Sequence, residues 1–365
     1  MQNYKFSPME KFILPRTKVL LSILLAFSFL INSCSTDFDV AADWKEITIV
    51  YGLLDKGQTN QYIRINKAFL SENTSALEIA PIADSLYHNP PAEVVLKAFD
   101  AQNNLKQTHV MQKVNAADEG LVKEEGLFAS NPYFLYKTSA ALNATYTYRI
   151  EITTPEGNVI TAETPVIDDF DAIRPDPDFD VSLISENYTM RWSPSTDVGI
   201  YDMDLIVKYD EQRIDDNGSI VTLPKTLKWN VFSNLDRETS IETGRVTYDL
   251  NVEAFFNFLL QNLSNTDSVQ RRYFKDFDFI IHAGSNDLKI YNDVTFAQFG
   301  VTSSQVILEY SNIEGGLGLF ASRYSKLIEN VKLTNQSIDL LACDPRTTAL
   351  KFATHPGSIT FPNCF

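Results

Sequence analysis

From Glu46 onward the chain alternates apolar and polar residues with a period of two. Ile47, Ile49, Tyr51 and Leu53 fall on one face of a first segment; in the next, Tyr62, Arg64 and Asn66 oppose Ile63 and Ile65. Such alternation predicts half-buried strands, because successive side chains leave a strand on opposite faces. Further strands are predicted over Val94–Phe99, Leu105–Val114, Phe134–Ser139, Thr145–Thr153 and Val159–Val166, with Pro155-Glu-Gly157-Asn158 as the turn between the last two. About seven short strands in this stretch fit an antiparallel sandwich. After Val181 the pattern resumes at Thr189–Trp192, Tyr201–Tyr209, Leu227–Phe232, Arg245–Leu250, Phe277–Ala283 and Gln305–Tyr310, with Trp192 as a core anchor. Asp215-Asp216-Asn217-Gly218 predicts a tight hairpin with positive φ at both central positions. Near 251–263 the period changes. Val252, Phe255, Phe256, Leu259, Leu260 and Leu263 form one helical stripe that should face the core, and a shorter helix is expected near Val294–Phe299.

The expected fold is therefore mostly β: two antiparallel β-sandwich domains, residues 46–167 and 181–365, the second with an inserted helix. Tyrosines entering one strand and a hairpin into a Thr-rich strand make Leu142–Val166 resemble the end of a fibronectin type III or immunoglobulin-like module. Between the domains, residues 168–180 carry six aspartates with Pro175 and Pro177. Prolines stiffen and like charges extend, so a linker is expected. Asp176, Asp178 and Asp180 are weak candidate metal ligands, because the glycine turn and distal glutamate of a calcium loop are missing.

The first 33 residues have a different pattern. Lys5, Lys11, Arg16 and Lys18 precede an apolar run from Val19 to Ile31, and at 1.5 Å per residue that run spans about 20 Å, short of a ~30 Å bilayer core. It ends in Leu30-Ile-Asn-Ser33-Cys34, which resembles the lipobox of bacterial lipoproteins. The resemblance implies cleavage before Cys34 and acylation of Cys34, leaving 34–45 as a tether. Several acyl chains anchor firmly where one is marginal. Ser35-Thr-Asp37-Phe-Asp39 resembles the surface-export signal of Bacteroidota lipoproteins, so display at the cell surface of the outer membrane is expected, with the periplasmic face as the alternative.

With 31 Lys+Arg against 47 Asp+Glu the net charge is −16; loss of Lys5, Glu10, Lys11, Arg16 and Lys18 would make it −19. An acidic body of this kind makes a nucleic-acid partner unexpected and leaves the lipid, rather than a basic patch, to hold the membrane. There are three cysteines. Once Cys34 is lipidated, Cys343 and Cys364 most simply form a disulfide closing a loop of about 22 residues, worth about 3 kcal/mol. No zinc spacing joins the four histidines, and no nucleophile elbow or phosphate loop occurs, so neither cofactor nor enzyme activity is expected. Gly315-Gly316-Leu317-Gly318 reads as a buried strand with close backbone approach rather than an anion nest. Trp44, Trp229 and Tyr87 are candidates for a glycan platform. Ser85 and Ser268 sit in short Asp-Ser-aliphatic patterns that mark weak O-glycosylation candidates.

Ile49-Val-Tyr-Gly-Leu-Leu-Asp55, Gln61-Tyr-Ile-Arg-Ile-Asn-Lys-Ala-Phe69 and Asn312-Ile-Glu-Gly-Gly-Leu-Gly-Leu-Phe-Ala-Ser-Arg323 extend the likeness across nearly the whole mature chain. Together with the lipobox they resemble a Bacteroidota lipoprotein family catalogued as domain-of-unknown-function family 4249. The family carries no established activity or catalytic residues. Its members are often encoded beside TonB-dependent outer-membrane transporters, which implies a non-catalytic accessory role in nutrient uptake. A glycan- or peptide-binding adhesive module without a transporter is the alternative, and an extracellular hydrolase a more remote one.

Overall fold

The computed structural model describes residues 47–68, 76–264, 266, 268–298 and 309–355. The chain is mostly β. Its strands are β1 (Ile47–Asp55), β2 (Gln61–Ala68), β3 (Glu93–Phe99), β4 (Leu105–Val110), β5 (Gln112–Asn115), β6 (Phe134–Thr138), β7 (Thr147–Thr153), β8 (Val159–Pro165), β9 (Ala172–Arg174), β10 (Asn187–Trp192), β11 (Val198–Ile214), β12 (Ile220–Asp236), β13 (Ile241–Glu242), β14 (Arg245–Asn251), β15 (Val269–Ser285) and β16 (Leu317–Val331). Helices α1 (Val252–Asn262), α2 (Asn286–Gln298) and α3 (Asn335–Cys343) follow β14, β15 and β16. Among the described residues no helix is long and apolar enough to cross a membrane.

One eight-stranded sheet runs β12-β11-β15-β16-β1-β2-β6-β5, and two four-stranded sheets run β4-β3-β7-β8 and β13-β14-β10-β9. Adding eight to each strand number of the first half reproduces the second. The order β1-β2-β6-β5 becomes β9-β10-β14-β13, and β4-β3-β7-β8 becomes β12-β11-β15-β16. The halves meet where β1 pairs with β16 in parallel, from Ile49 opposite Leu317 to Asp55 opposite Arg323.

Two apolar cores result. In one, Val94, Leu96, Tyr148 and Ile150 of the β4-β3-β7-β8 sheet join Val50, Leu54, Ile63 and Ile65 of β1 and β2. In the other, Met190, Trp192 and Leu250 join Met203, Leu205, Phe277 and Phe279 of β11 and β15. Each fully buried large side chain contributes about 1.5–3 kcal/mol of transfer free energy.

Several expectations change against this frame. The two halves are not independently closed, since one sheet carries strands of both and residues 46–365 group as one unit. Residues 168–180 are not a solvated spacer. Phe170 is buried in the second core, with Ile167 just before the segment, and β9 pairs with β10, while Ile173, Phe179 and the aspartates lie toward solvent. The 215–219 turn holds positive φ only at Gly218, with Asp215 Oδ1 accepting from the backbone N–H of Asn217 and Ser219, so it is longer than a two-residue hairpin. Leu260 of α1 is half-exposed, whereas Val252, Phe255, Phe256 and Leu259 are buried, and Asn251 caps the helix through a bond from Ala254 N–H (2.9 Å). The second helix starts eight residues before the expected one and ends one short of it, and most of the predicted strand Gln305–Tyr310 lies outside the described residues.

The glycine run behaves as a close approach. A Cβ on Gly318 would lie 1.9 Å from the Val50 carbonyl oxygen, and one on Gly316 would lie 2.6 Å from that of Thr48. Leu317, expected inside, is exposed; Leu319 and Phe320 are buried.

Candidate functional site

The core takes Val50, Ile63 and Ile65, so the pleat turns Ile49, Tyr51, Arg64 and Asn66 to the other face of β1 and β2. Tyr51 stands directly opposite Arg64 in the register, and the guanidinium carbon lies 4.6 Å from the centre of the Tyr51 ring. Two irregular segments rise over this face, one containing Leu77 and Leu86, the other Lys123, Leu127, Phe128 and Tyr133. They enclose a cavity of about 470 Å³. A second cavity of about 650 Å³ shares Tyr51, Arg64 and Tyr133 and continues the groove toward Leu288 and Tyr291 of α2.

The electrostatics of the groove are unlike those of the molecule. In a chain of net charge −16, the smaller cavity is lined by Arg64, Lys67 and Lys123 and, among the described residues, by no acidic side chain. Arg64 pairs with no carboxylate among the described residues. The Lys123 ammonium donates to the carbonyls of Phe128 (3.0 Å) and Ala129 (2.8 Å) and lies against the Tyr133 ring. Burial, and then the charge of Arg64, push its pKa below the usual lysine value. Burial and a hydrogen bond with Tyr291 push the Tyr51 hydroxyl up to about 12, with Arg64 opposing the shift. Tyr51 therefore stays neutral at physiological pH. The nearby carboxylates are already engaged: Glu119 accepts from Tyr62 (2.9 Å) and Lys137 (2.5 Å), and Asp55 pairs with Arg323 (3.3 Å).

Three residues that the sequence kept apart meet on the outer face of the second half. Ser325 Oγ lies 2.8 Å from His282 Nδ1, and His282 Nε2 lies 3.1 Å from Asp204 Oδ2. Burial alone would raise the Asp204 carboxyl, but Lys228, His282 and Asn230 hold it below the usual range. The row has serine, histidine and aspartate in line. Acyl transfer also requires unpaired donors aimed at a developing oxyanion. At Asp204 and His282, β11 and β15 have ladder partners on both sides, so their N–H groups are committed; beside Ser325, β16 keeps only β15, since its pairing with β1 ends at Arg323. None of the three residues lines either cavity. The arrangement is a polar clasp across three strands.

The residues singled out from sequence fare differently. Cys34 and Cys364 lie outside the described residues, as does Trp44. Cys343, at the end of α3, is disulfide-bonded. Asp176, Asp178 and Asp180 do not converge on a metal: Asp176 Oδ1 accepts from the N–H of Asp178 (2.9 Å) and closes a turn. No group of three His, Cys, Asp or Glu among the described residues is placed to hold an ion. Ser85 Oγ donates to the carbonyl of Ile82 (2.6 Å), and Ser268 Oγ accepts from Arg213 (3.3 Å), so both hydroxyls are engaged locally. Tyr87 is buried against Phe134, and Trp229 stacks on Phe258 with ring centres 5.2 Å apart; neither offers the free face a sugar needs. Arg64 was legible as a polar position alternating with Ile63 and Ile65, but Tyr51 shares the apolar face of Ile47, Ile49 and Leu53, and the core takes Thr48, Val50 and Leu54 of the other face instead. Lys123, Phe128 and Tyr133 were not legible, because their segment has no periodicity.

No family model and no curated protein matches the chain. Among solved structures, fibronectin(III)-like modules of Clostridium thermocellum CbhA align at 10% identity over 78% of this chain and 95% of theirs, with a TM-score of 0.17. Trypsin-activated alpha-2-macroglobulin from Escherichia coli aligns at 9% identity over 68% of this chain and 15% of its own, with a TM-score of 0.18. The C-terminal globular domain of an oligosaccharyltransferase from Pyrococcus abyssi aligns at 6% over 79% and 50%, with a TM-score of 0.17. The chain spans half or less of the latter two. At these scores the likenesses carry no argument about fold or function.

Proposed function

We propose that this protein is a lipid-anchored outer-membrane binding module, without catalysis of its own, that serves a TonB-dependent nutrient-uptake system and takes its ligand in the groove over β1 and β2. The observation that carries the binding reading is the smaller cavity: tyrosine-lined, cationic and, among the described residues, free of carboxylates in an acidic molecule. Cavities of this size, mostly apolar with a few convergent polar groups, are the usual form of a small-molecule site. Anchoring and surface display rest on the sequence through Cys34 and the acidic residues behind it. The link to a transporter rests on the resemblance to domain-of-unknown-function family 4249.

We read the two halves as immunoglobulin or fibronectin III-like sandwiches joined edge to edge. Support comes from the strand order: β1-β2-β6-β5 facing β4-β3-β7-β8 corresponds to A-B-E-D facing C′-C-F-G. Tyr148 adds to it, entering β7 and accepting a bond from the backbone N–H of Asn143 (2.8 Å), as the tyrosine corner of that fold does. Cys364 is the proposed disulfide partner of Cys343.

The test is an affinity pull-down of the full-length protein from detergent-solubilised outer membranes. Co-recovery of a transporter barrel by the wild type, and its loss with Cys34→Ala, is the expected result. Recovery of the protein alone would remove the transporter from the reading.

A further inference from the structure

We infer that the groove over β1 and β2 selects a small amphiphilic anion: one carboxylate, sulfonate or phosphate group held between Arg64 and Lys123, with a flat apolar body lying along Leu86, Leu127 and Phe128. This rests on the groove being the binding site and goes further by naming what it takes.

Four observations converge on this class. Arg64 and Lys123 are close enough that the charge of one disfavours the charge of the other. Two like charges drawn together on one wall, with no carboxylate among the described residues to separate them, leave a place for a negative group supplied from outside. Neither cation is anchored so as to prevent this. Arg64 lies over the Tyr51 ring, a contact that leaves the edge N–H donors of its guanidinium fork free for bidentate recognition of an oxyanion. Lys123 uses two carbonyls and keeps a third proton to donate.

The remainder of the wall is apolar, and its rim is unusually exposed. Leu77 is 63% accessible, Leu127 51% and Phe128 50%, all at the cavity mouth. Exposed large apolar side chains grouped around a concave site mark a surface that is covered when occupied. An inorganic anion would leave that surface wet, and a neutral apolar molecule would leave Arg64 without a counter-charge. An amphiphilic anion meets both. The volume of about 470 Å³ admits a body of two fused rings with a short acidic arm.

The test uses a matched pair of fluorescent probes, dansylglycine and dansylglycinamide, which share one body and differ in a carboxylate against a carboxamide. Binding is read by equilibrium dialysis of the full-length protein in non-ionic detergent against micelles alone. A charge-assisted contact of this kind predicts that dansylglycine binds about tenfold tighter. The preference should collapse in Arg64→Gln/Lys123→Gln, while the double variant still binds the amide as wild type does. Equal binding of both probes, lost from both in Leu127→Asp/Phe128→Ser, would keep the groove as a site and overturn its choice of an anion. A preference for the carboxylate that survives Arg64→Gln/Lys123→Gln would overturn the assignment to these two cations. Failure of both probes to bind would overturn this inference together with the groove reading. Displacement of bound dansylglycine by phosphatidylglycerol in mixed micelles, but not by the water-soluble 2-naphthoate, would make the occupant a lipid headgroup and overturn the small-molecule class.

Discussion

Arg272 is buried to 1% exposure, yet every side of its guanidinium is answered. Nε donates to Glu211 (3.0 Å), Nη1 to the Leu350 carbonyl (2.7 Å) and Nη2 to the Ser264 carbonyl (2.7 Å). It thereby ties β15 to β11 and to the segment after α3. Removing one partner of a buried pair strands the other charge, so Arg272→Met should cost about 3–5 kcal/mol in urea unfolding. Arg272→Met/Glu211→Leu should recover much of that loss. Tyr148 acts by a single bond, and Tyr148→Phe should lower stability by about 1–2 kcal/mol, because the Asn143 N–H loses its acceptor. Neither role was legible in the sequence. An arginine in a β segment is ordinarily solvated, and its partner Glu211 lies on a different strand.

Elements with one wet face were legible, since alternation reports them: β2, β7, β8 and β10 lie within two residues of expectation. Long, twisted elements were legible only in part, and β16 only at its start, where the glycine run reads as a buried strand. β16 begins with a continuous apolar run because the first half's core buries Phe320 and the opposite side is covered as well, so period-two alternation vanishes. The β11–β12 hairpin runs well beyond its apolar middle, and α3 announces itself only by the Thr334 cap on Ser337 N–H (3.2 Å). The groove was half legible: its floor follows from the pleat, but the segments above it have no repeat to read. Gly318 shows what the β1–β16 pairing demands, holding φ at +121° with no space for a Cβ. Gly318→Ala should push β16 away from β1. It is expected to lower the thermal midpoint by several degrees and to raise hydrogen exchange across Ile49–Asp55 before it does so in β11 or β15.

At the scale of the molecule, acidic charge is managed by pairing. Asp344 is held below the usual carboxylate range chiefly by its bond from Arg346, Asp168 chiefly by Lys56, and Asp204 by Lys228 and its neighbours despite burial. The unfolded chain therefore takes up these protons at a higher pH than the folded one. Stability is fully present above about pH 5 and is lost as pH falls through the ordinary aspartate value of about 3.9 toward the lowered folded values. Urea midpoints measured from pH 6 to pH 3 should decline, and Lys228→Gln should flatten part of that decline. The offset of eight in strand number gives the two halves equivalent plans, yet only the parallel pair of β1 with β16 joins their sheets. That pair has a consequence for biogenesis. Synthesis delivers β1 first and β16 almost last, so in the interval β1 has one unsatisfied edge while hundreds of residues are still to come. Contacts this distant in sequence form slowly, and an open edge in the interval is a template for another chain. Truncation before residue 317 should therefore give a product that self-associates through the open β1 edge, read by its size in solution.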